Sequence, residues 1–197
     1  MRAMGCARDR RLRALSEGAV RFHETPLPGV WLIEPERLGD ERGWFARTFD
    51  REEFAARGMN PEVAQCNASH NASRDTLRGM HYQADPHGES KLVRCVRGAV
   101  FDVALDLRRD SPSFRAWHGV ELSAENGHAL YMPAGLAHGF QTLLDDSEML
   151  YQMGYPYVPE AASGVRFDDP AFAIEWPEPR RERVVSERDA GYPDFAC

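Results

Sequence analysis

Short apolar runs, broken at close intervals by turn-forming residues, dominate this sequence. Runs that favour β-strands lie at residues 29–33, 43–49, 77–83, 91–96, 99–107, 117–122, 129–132, 139–144 and 149–153. Turn-forming residues separate them, as at Gly98 and at residues 124–127. Many short strands at turn-marked intervals are typical of a sandwich or a barrel. The spacing therefore predicts an all-β fold.

One of these runs shows a regular alternation. Within residues 99–107, Phe101, Val103 and Leu105 alternate with a second set that includes Asp102 and Asp106. A period of two residues predicts a strand with one face on a core and one in water.

The best candidate for a helix covers residues 50–57. Asp50 can cap its first turn, Glu53 stands at the capping-box position, and Gly58 follows as a stop signal.

The two ends of the chain differ from its middle. Residues 1–20 are polar and rich in Arg, without the apolar segment of a secretory signal, and are expected to form an N-terminal extension. Residues 168–197 are rich in Pro and charge, and they are expected to wrap the barrel while being too polar for a core. Residues 21–197 are expected to form a single domain.

Charge and cysteine content exclude several classes of function. The formal net charge is −7, which disfavours general binding of nucleic acid or anionic membranes. Cys6, Cys66, Cys95 and Cys197 have no CxxC spacing, so a structural zinc site is not expected. Reduced thiols in a cytoplasmic protein, with Cys95 as a small core residue, are the simplest interpretation.

Two spacings resemble the paired motifs of the cupin superfamily, whose fold is a double-stranded β-helix, or jelly-roll barrel. The first is G-x5-D-x-H-x3-K-x6-G over residues 79–98, and the second is G-x5-P-x-G-x2-H over residues 127–138. Metal-binding cupins carry a glutamate where Lys91 stands. A lysine ammonium has no lone pair for a metal, which favours a metal-free pocket. A metal-dependent oxygenase or isomerase using Asp85, His87 and His138 stays open as an alternative.

A narrower resemblance covers roughly residues 22–192. The blocks that carry it are GDERG (39–43), LRGMHYQ (77–83), KLVR (91–94), VFDV (100–103), SP (111–112), LSAEN (122–126) and PAGLAHGF (133–140). In this order they are similar to the dTDP-4-dehydrorhamnose 3,5-epimerase family. The resemblance implies a cupin-type jelly-roll barrel with a few short helices that inverts C3, C5 or both in a dTDP-4-keto-6-deoxyhexose, with no cofactor.

The same resemblance implies four catalytic residues. A C–H beside a ketone is acidic because its anion is an enolate, so a base, a cation at the oxygen and an acid are needed. His81 matches the base, and Asp189 matches the carboxylate that orients it. Lys91 matches the group that stabilises the enolate oxygen, and Tyr151 matches the acid on the opposite face.

Further matches concern substrate binding. They are Arg42 and Arg78 for the diphosphate, Tyr157 for the base, Gln65 and Asn67 on a sugar- and base-contacting strand, and His138 in the pocket lining. Family dimers exchange an N-terminal strand, which implies a homodimer in which Arg42 acts from the partner subunit. The chain departs from the family at Arg47, Gln152, Pro156 and Ala162, which leaves the exact sugar and nucleotide open. A non-catalytic sugar-nucleotide binding protein on the same barrel is the third alternative.

Overall fold

The chain is described by a computed structural model over residues 20–196, so the predicted N-terminal extension lies outside the described residues except for Val20. The helical elements in this range are short: α1 (Arg51–Ala56), a 3-10 turn (Pro159–Ala161) and α2 (Glu187–Ala190). The strands are β1 (Val20–Glu24), β2 (Trp31–Pro35), β3 (Leu38–Asp40), β4 (Gly43–Phe45), β5 (Gln65–Asn71), β6 (Leu77–Gln83), β7 (Lys91–Arg97), β8 (Ala99–Asp106), β9 (Trp117–Ser123), β10 (Ala129–Met132), β11 (Leu136–Thr142), β12 (Ser147–Met153) and β13 (Ala162–Gly164).

Two sheets built from antiparallel pairs form a barrel. The six-stranded sheet has the order β1-β2-β10-β7-β12-β5, and the five-stranded sheet has the order β13-β6-β11-β8-β9. Val93 and Leu130 of the first sheet share one buried cluster with Val100 and Phe140 of the second, so the sheets face each other. A separate hairpin, β3–β4, completes the described strands. The predicted cupin-type jelly roll is confirmed.

Alternation along each strand decides which side chains enter the barrel. On β10, Leu130 and Met132 belong to the inner cluster, whereas Ala129 and Tyr131 belong to a cluster on the outer side of the same sheet. Phe54 of α1 packs in that outer cluster. The helix therefore covers the outer face of the six-stranded sheet.

The same alternation brings polar side chains into the barrel. Lys91 is two residues from the inner residue Val93 on β7, and Tyr151 is two residues from the inner residue Met149 on β12. His138 has the same relation to Phe140 on β11. The interior of the barrel is thus apolar around the inner cluster and polar around Lys91, His138 and Tyr151.

Strand β8 differs from the prediction. The alternation in residues 99–107 predicted one wet face, but both faces of β8 are covered. Val100 and Ala104 face the inner cluster, whereas Val103 and Leu105 face a third cluster on the outer side of the five-stranded sheet.

The C-terminal segment supplies the residues of that third cluster. Phe172 is buried there, and Ile174, Trp176 and Phe195 pack against it. The expectation that residues 168–197 are too polar for a core is therefore wrong. A few large apolar side chains, spaced among prolines and charges, are enough to cover the outer face of a sheet.

Two smaller predictions are confirmed. The helix begins after Asp50, whose carboxylate accepts hydrogen bonds from the backbone N–H groups of Glu52 and Glu53 at 3.1 Å each. Cys95 is buried in the inner cluster. No helix within residues 20–196 is long and apolar enough to cross a membrane.

Candidate active site

A cavity of about 480 Å³ opens between the two sheets. The predicted site residues that line it are Gln65, Asn67, Arg78, His81, Lys91, His138, Tyr151 and Tyr157. Asp189 contacts His81 from behind the cavity wall, and Arg42 is not among the lining residues. Residues far apart in sequence therefore meet around one space.

His81 and Asp189 form a hydrogen-bonded pair. Nε2 of the half-exposed His81 lies 2.8 Å from Oδ1 of the buried Asp189, and the backbone N–H of Gly79 donates to Oδ2 at 3.0 Å. Burial alone would raise the pKa of Asp189, but the hydrogen bonds from His81 and Gly79 outweigh it and lower that pKa. The charged carboxylate fixes the ring and would stabilise an imidazolium.

Helix α2 presents Asp189 to the barrel. Its first turn is capped by Ser186, whose hydroxyl accepts a hydrogen bond from the backbone N–H of Asp189 at 3.1 Å. Upstream, buried Asp75 accepts hydrogen bonds from the backbone N–H groups of Arg180 and Arg181 at 3.0 and 3.1 Å. These contacts tie the C-terminal segment to the barrel just before the helix.

Gly79 allows β6 to approach β11 closely beside His81. Its φ is +127°, and a Cβ atom at this position would lie 2.5 Å from Cα of Gly139 and 2.8 Å from the carbonyl oxygen of His138. Only glycine fits both the conformation and the space. This close contact between β6 and β11, which leaves no room for a side chain at position 79, places His81 in the cavity wall.

Lys91 enters the cavity from the six-stranded sheet. The side chain is buried, and its Nζ donates to Oε1 of Glu89 and, at 3.3 Å, to the carbonyl oxygen of His81. Burial lowers the pKa of Lys91, while the charge of Glu89 and the hydrogen bond to it act in the opposite direction.

Tyr151 also lines the cavity from this sheet. Its hydroxyl lies 2.9 Å from the hydroxyl of Ser69 on β5. Burial raises the pKa of Tyr151 to about 12, although the hydrogen bond with Ser69 opposes the shift. The phenol therefore carries its proton at neutral pH.

His138 stands on the five-stranded sheet and is paired with Asp102. Its Nε2 lies 2.8 Å from Oδ2 of Asp102, and both side chains are buried. The His138 ring meets the Tyr151 ring edge to face, with centroids 6.1 Å apart. His138 thus helps to set the position of Tyr151.

The two sheets hold different parts of the site. His81 of β6 belongs to the five-stranded sheet, whereas Tyr151 of β12 and Lys91 of β7 belong to the six-stranded sheet. A molecule between the sheets would meet the imidazole from one wall and the phenol from the other. This arrangement suits the removal of a proton from one face of a carbon and its return to the opposite face.

The cavity rim is built by amide side chains. Gln65 accepts a hydrogen bond from the backbone N–H of Tyr157 at 2.8 Å, and Gln83 accepts one from that of Val158 at 2.6 Å. Tyr157 itself is exposed. The rim therefore offers an accessible aromatic ring on a segment that hydrogen bonds hold in place.

Cations flank this rim. Arg78 donates through Nε to Oδ1 of Asn71 at 2.7 Å, which orients its guanidinium at the cavity. Arg188 of α2 also lines the cavity, with its Nε hydrogen-bonded to the Tyr192 hydroxyl at 3.0 Å. Two guanidinium groups in the lining of one cavity suit an anionic ligand.

Arg42 does not reach the cavity of its own chain. It lies on the exposed turn of the β3–β4 hairpin and donates through Nε to Asp40 at 3.2 Å. Within its own chain Arg42 is thus absent from the cavity lining, because the hairpin stands apart from both sheets.

Two charged residues of the cavity lining, Glu89 and Arg188, were missed by the sequence analysis. Arg188 immediately precedes Asp189, and Glu89 precedes Lys91 by two residues. An arginine next to a matched residue is a signal that could have been used. The Glu89 contact depends on the fold of residues 84–90, which no local pattern specifies.

The ligands of the metal-dependent alternative do not come together. His138 is hydrogen-bonded to Asp102, and His87 lies by the rim with Nδ1 3.3 Å from the hydroxyl of Tyr155. Within residues 20–196, no three His, Cys, Asp or Glu side chains are grouped so that they could hold a metal ion. No arrangement of donors in this range favours that alternative.

Comparison with known proteins gives consistent likenesses. Residues 24–196 match the family model described as dTDP-4-dehydrorhamnose 3,5-epimerase. A protein of that name from Sinorhizobium fredii is 42% identical over 174 residues, which cover 88% of this chain and 89% of the relative.

Solved structures agree with this match. The crystal structure of dTDP-4-dehydrorhamnose 3,5-epimerase from Elizabethkingia anophelis has a TM-score of 0.87 at 37% identity, covering 90% of this chain and 97% of that one. ChmJ, a 3'-monoepimerase from Streptomyces bikiniensis in complex with dTDP-quinovose, has a TM-score of 0.81 at 38% identity, covering 87% and 86% of the two chains.

Proposed function

This chain belongs to the dTDP-4-dehydrorhamnose 3,5-epimerase family, and from that membership we propose how its residues act. It is an isomerase, a sugar-nucleotide epimerase that inverts C3, C5 or both in a dTDP-4-keto-6-deoxyhexose. The roles of individual residues, the assembly of the chain and its location are the proposal.

His81 is the base that removes the proton. The carbon to be inverted lies beside the C4 ketone, so the electron pair left behind delocalises into the ketone oxygen as an enolate. Asp189, hydrogen-bonded to Nε2 of His81 at 2.8 Å, stabilises the imidazolium that forms. General base catalysis of this kind contributes about 10²–10⁴-fold to a rate.

Lys91 stabilises the enolate. A buried ammonium interacts more strongly with a developing oxyanion than one in water, because little solvent screens the two charges. Its place at the inner face of β7 supports this role.

Tyr151 returns a proton to the opposite face. A tyrosine phenol with its ordinary pKa of about 10 is protonated at neutral pH, as an acid requires, and burial, which raises the pKa of Tyr151, leaves it so. Protonation restores the ketone with inverted stereochemistry. The C4 ketone already acidifies the neighbouring C–H bond and accepts its electron pair, so the proposed steps use no cofactor.

The single observation that carries this mechanism is the placement of His81 and Tyr151 on opposite sheets of one cavity. A base and an acid on one wall would return the proton to the face from which it came. The same placement disfavours the non-catalytic alternative, because binding a sugar nucleotide requires no such pair.

Recognition of the nucleotide uses the rim. Arg78 contacts the diphosphate, Tyr157 stacks on the thymine base, and Gln65 and Asn67 contact the ligand from β5. Asn67 and Gln65 both line the cavity. His138 lines the sugar end.

The working form is a homodimer with an exchanged N-terminal strand, in which Arg42 reaches the cavity of the partner subunit. The β3–β4 hairpin supports this, since Trp44 and Phe45 are 59% and 62% exposed. Exposed aromatic side chains side by side are typical of an interface.

Free thiols at exposed Cys66 and buried Cys95 suit a cytoplasmic location.

A mixing experiment tests the dimer. Arg42→Ala and His81→Ala proteins, each of low activity, should regain up to about a quarter of wild-type activity once equal amounts exchange subunits. One site of each mixed dimer would then hold both residues. A monomeric mass by light scattering, or no regain after exchange, would contradict the proposal.

Heavy water tests the reaction itself. Wild-type protein incubated with a dTDP-4-keto-6-deoxyglucose substrate in heavy water should place deuterium at C3, C5 or both, read by NMR at each carbon. Absence of deuterium with several 4-keto sugar nucleotides would overturn the proposed mechanism.

A further inference from the structure

Glu89 is the one acid among the described residues that line the cavity. Three cations, Arg78, Lys91 and Arg188, line the same space. A carboxylate is unfavourable there, because the proposed ligand carries a negatively charged diphosphate. The acid must therefore have a partner within the protein.

The contacts of Glu89 identify that partner as Lys91. One carboxylate oxygen accepts a hydrogen bond from Nζ of Lys91, and the other accepts one from the backbone N–H of Gln83 at 3.1 Å. The two side chains are nearly sealed from solvent, with Glu89 5% and Lys91 7% exposed.

These contacts account for the donors of Lys91. An ammonium group has three N–H bonds. One is directed to Glu89 and a second to the carbonyl oxygen of His81 at 3.3 Å. The third is left for a ligand oxygen in the cavity.

Among the described residues that line the cavity, none besides Glu89 provides Lys91 with a negative carboxylate. On the neighbouring strands, β10 and β12, the residues opposite Lys91 are Met132 and Met153. His81 faces the cavity from β6, and Tyr155 faces it from the rim. The other charged or titratable residues that line the cavity are Arg78, His138, Arg188 and three tyrosines, Tyr82, Tyr151 and Tyr157.

We propose that Glu89 is a positioning residue that keeps Lys91 charged and directs its third N–H bond toward the ligand. This inference rests on the proposed function, in which that ammonium meets the enolate oxygen. Burial drives Lys91 toward the neutral amine, and Glu89 opposes that tendency. Glu89 acts through Lys91 and does not touch the reacting atoms.

Three variants test this role. Glu89→Gln keeps the size of the side chain and an acceptor oxygen but removes the charge, and Glu89→Asp restores the charge on a shorter side chain. Glu160→Gln removes the same charge from an exposed position near the rim. Circular dichroism and thermal unfolding establish that each variant is folded.

Two readouts are compared across pH. The first is the rate of deuterium incorporation into the sugar. The second is acetylation of Lys91 by acetic anhydride in the ligand-free protein, followed by mass spectrometry, which reports the neutral amine without any turnover.

In Glu89→Gln we expect the alkaline limb of the rate profile, and the midpoint of acetylation, to move to lower pH by about one unit or more. At a pH on the wild-type alkaline limb, the rate should fall by about tenfold or more. Glu89→Asp should recover most of both effects, and Glu160→Gln should match the wild type.

An unchanged acetylation midpoint in Glu89→Gln would overturn the inference, as would a rate loss that is equal at every pH. Failure of the proposed function has a different signature. Wild-type protein would then exchange no deuterium at all, while acetylation of Lys91 would still report whether Glu89 keeps it charged.

Discussion

His81 belongs to the sequence motif LRGMHYQ, and its ring forms a 2.8 Å hydrogen bond with Asp189. His81→Ala should lower deuterium incorporation by about 10²–10⁴-fold, because the base is lost while the fold is retained. The exposed histidine variant His70→Ala is the matched control and should behave as wild type. Substantial exchange in His81→Ala, measured by NMR in heavy water, would remove His81 as the base.

Tyr151 should separate proton removal from inversion. In Tyr151→Phe, His81 can still remove and return a proton on its own wall, so deuterium should enter the sugar without inversion. We expect inversion to fall by about 10²-fold or more while exchange persists. NMR of the recovered sugar reports both quantities. Inversion at the wild-type rate would show that another group is the acid.

The sequence motifs predicted which residues lie together at the cavity, but not the hydrogen bonds that position them. The cupin spacing places Lys91 where metal-binding cupins have a glutamate, and Lys91 lines the cavity. Its partner Glu89 and the Ser69 hydroxyl beside Tyr151 depend on how a loop and a neighbouring strand pack. Sequence patterns report periodicity within a segment, whereas these contacts arise between segments.

Strand β6 depends on the contact between Gly79 and β11. Gly79→Ala should destabilise the protein by about 2–3 kcal/mol, because the added methyl group would overlap Gly139 and the backbone of His138. Gly43→Ala is a matched control, since Gly43 has a φ of +128° and nothing within 4 Å of the added atom. Denaturant unfolding should show the larger loss at Gly79. Equal losses would mean that backbone strain alone is responsible.

Asp106, at the end of β8, should make the free energy of unfolding depend on pH in the acidic range. Burial disfavours the charge of Asp106, but hydrogen bonds from Arg108, Ser111 and Ser113 outweigh it and lower the pKa of Asp106 to about 2. Because this pKa lies below that of the unfolded chain, the stabilisation is complete above about pH 4 and is lost as the pH falls toward 2.

Asp106→Asn should therefore cost about 2 kcal/mol at pH 7, and the difference from wild type should vanish near pH 2. Thermal unfolding between pH 2 and pH 7 measures it. A difference that stays constant with pH would show that the charge of Asp106 does not contribute.

Element boundaries show where local patterns succeed and where they fail. Strands over residues 77–83 and 129–132 were predicted to the residue, because turn-forming residues flank both segments. Strand β11 begins at Leu136, three residues earlier than predicted, since it pairs with both β6 and β8. The apolar pattern does not mark strands β1 and β5, because polar edge strands lack a strong apolar signal. For β5, only the family resemblance placed Gln65 and Asn67 on a strand.

At the scale of the whole molecule, Asp75 links the barrel to the C-terminal segment that carries Asp189. Asp75→Asn should loosen residues 180–190, because an uncharged amide accepts weakly from the two backbone N–H groups that the carboxylate holds. Asparagine tolerates the φ of 64° found here, so the variant should fold. Hydrogen exchange should rise in this segment and the reaction should slow. Unchanged protection of residues 180–190 would contradict this role of Asp75.

The apolar residues of this segment explain why its packing was not foreseen. Phe172, Ile174 and Trp176 are two residues apart, but Pro170 and Pro177 flank this short run, and Phe195 lies far downstream, so the run was not recognised as a buried segment. They cover the five-stranded sheet because β8 and β11 present apolar side chains outward. The pattern of the barrel, more than that of the segment itself, determines where the segment lies.

The His81–Asp189 pair has a consequence for the order in which the molecule becomes active. Its two members are 108 residues apart in sequence, so their contact forms only when a long loop has closed. A chain whose C-terminal helix α2 has not docked lacks this pair even where its sheets are formed. We therefore expect turnover to recover more slowly than secondary structure during refolding. The rate at which turnover recovers would then report the docking of the C-terminal helix.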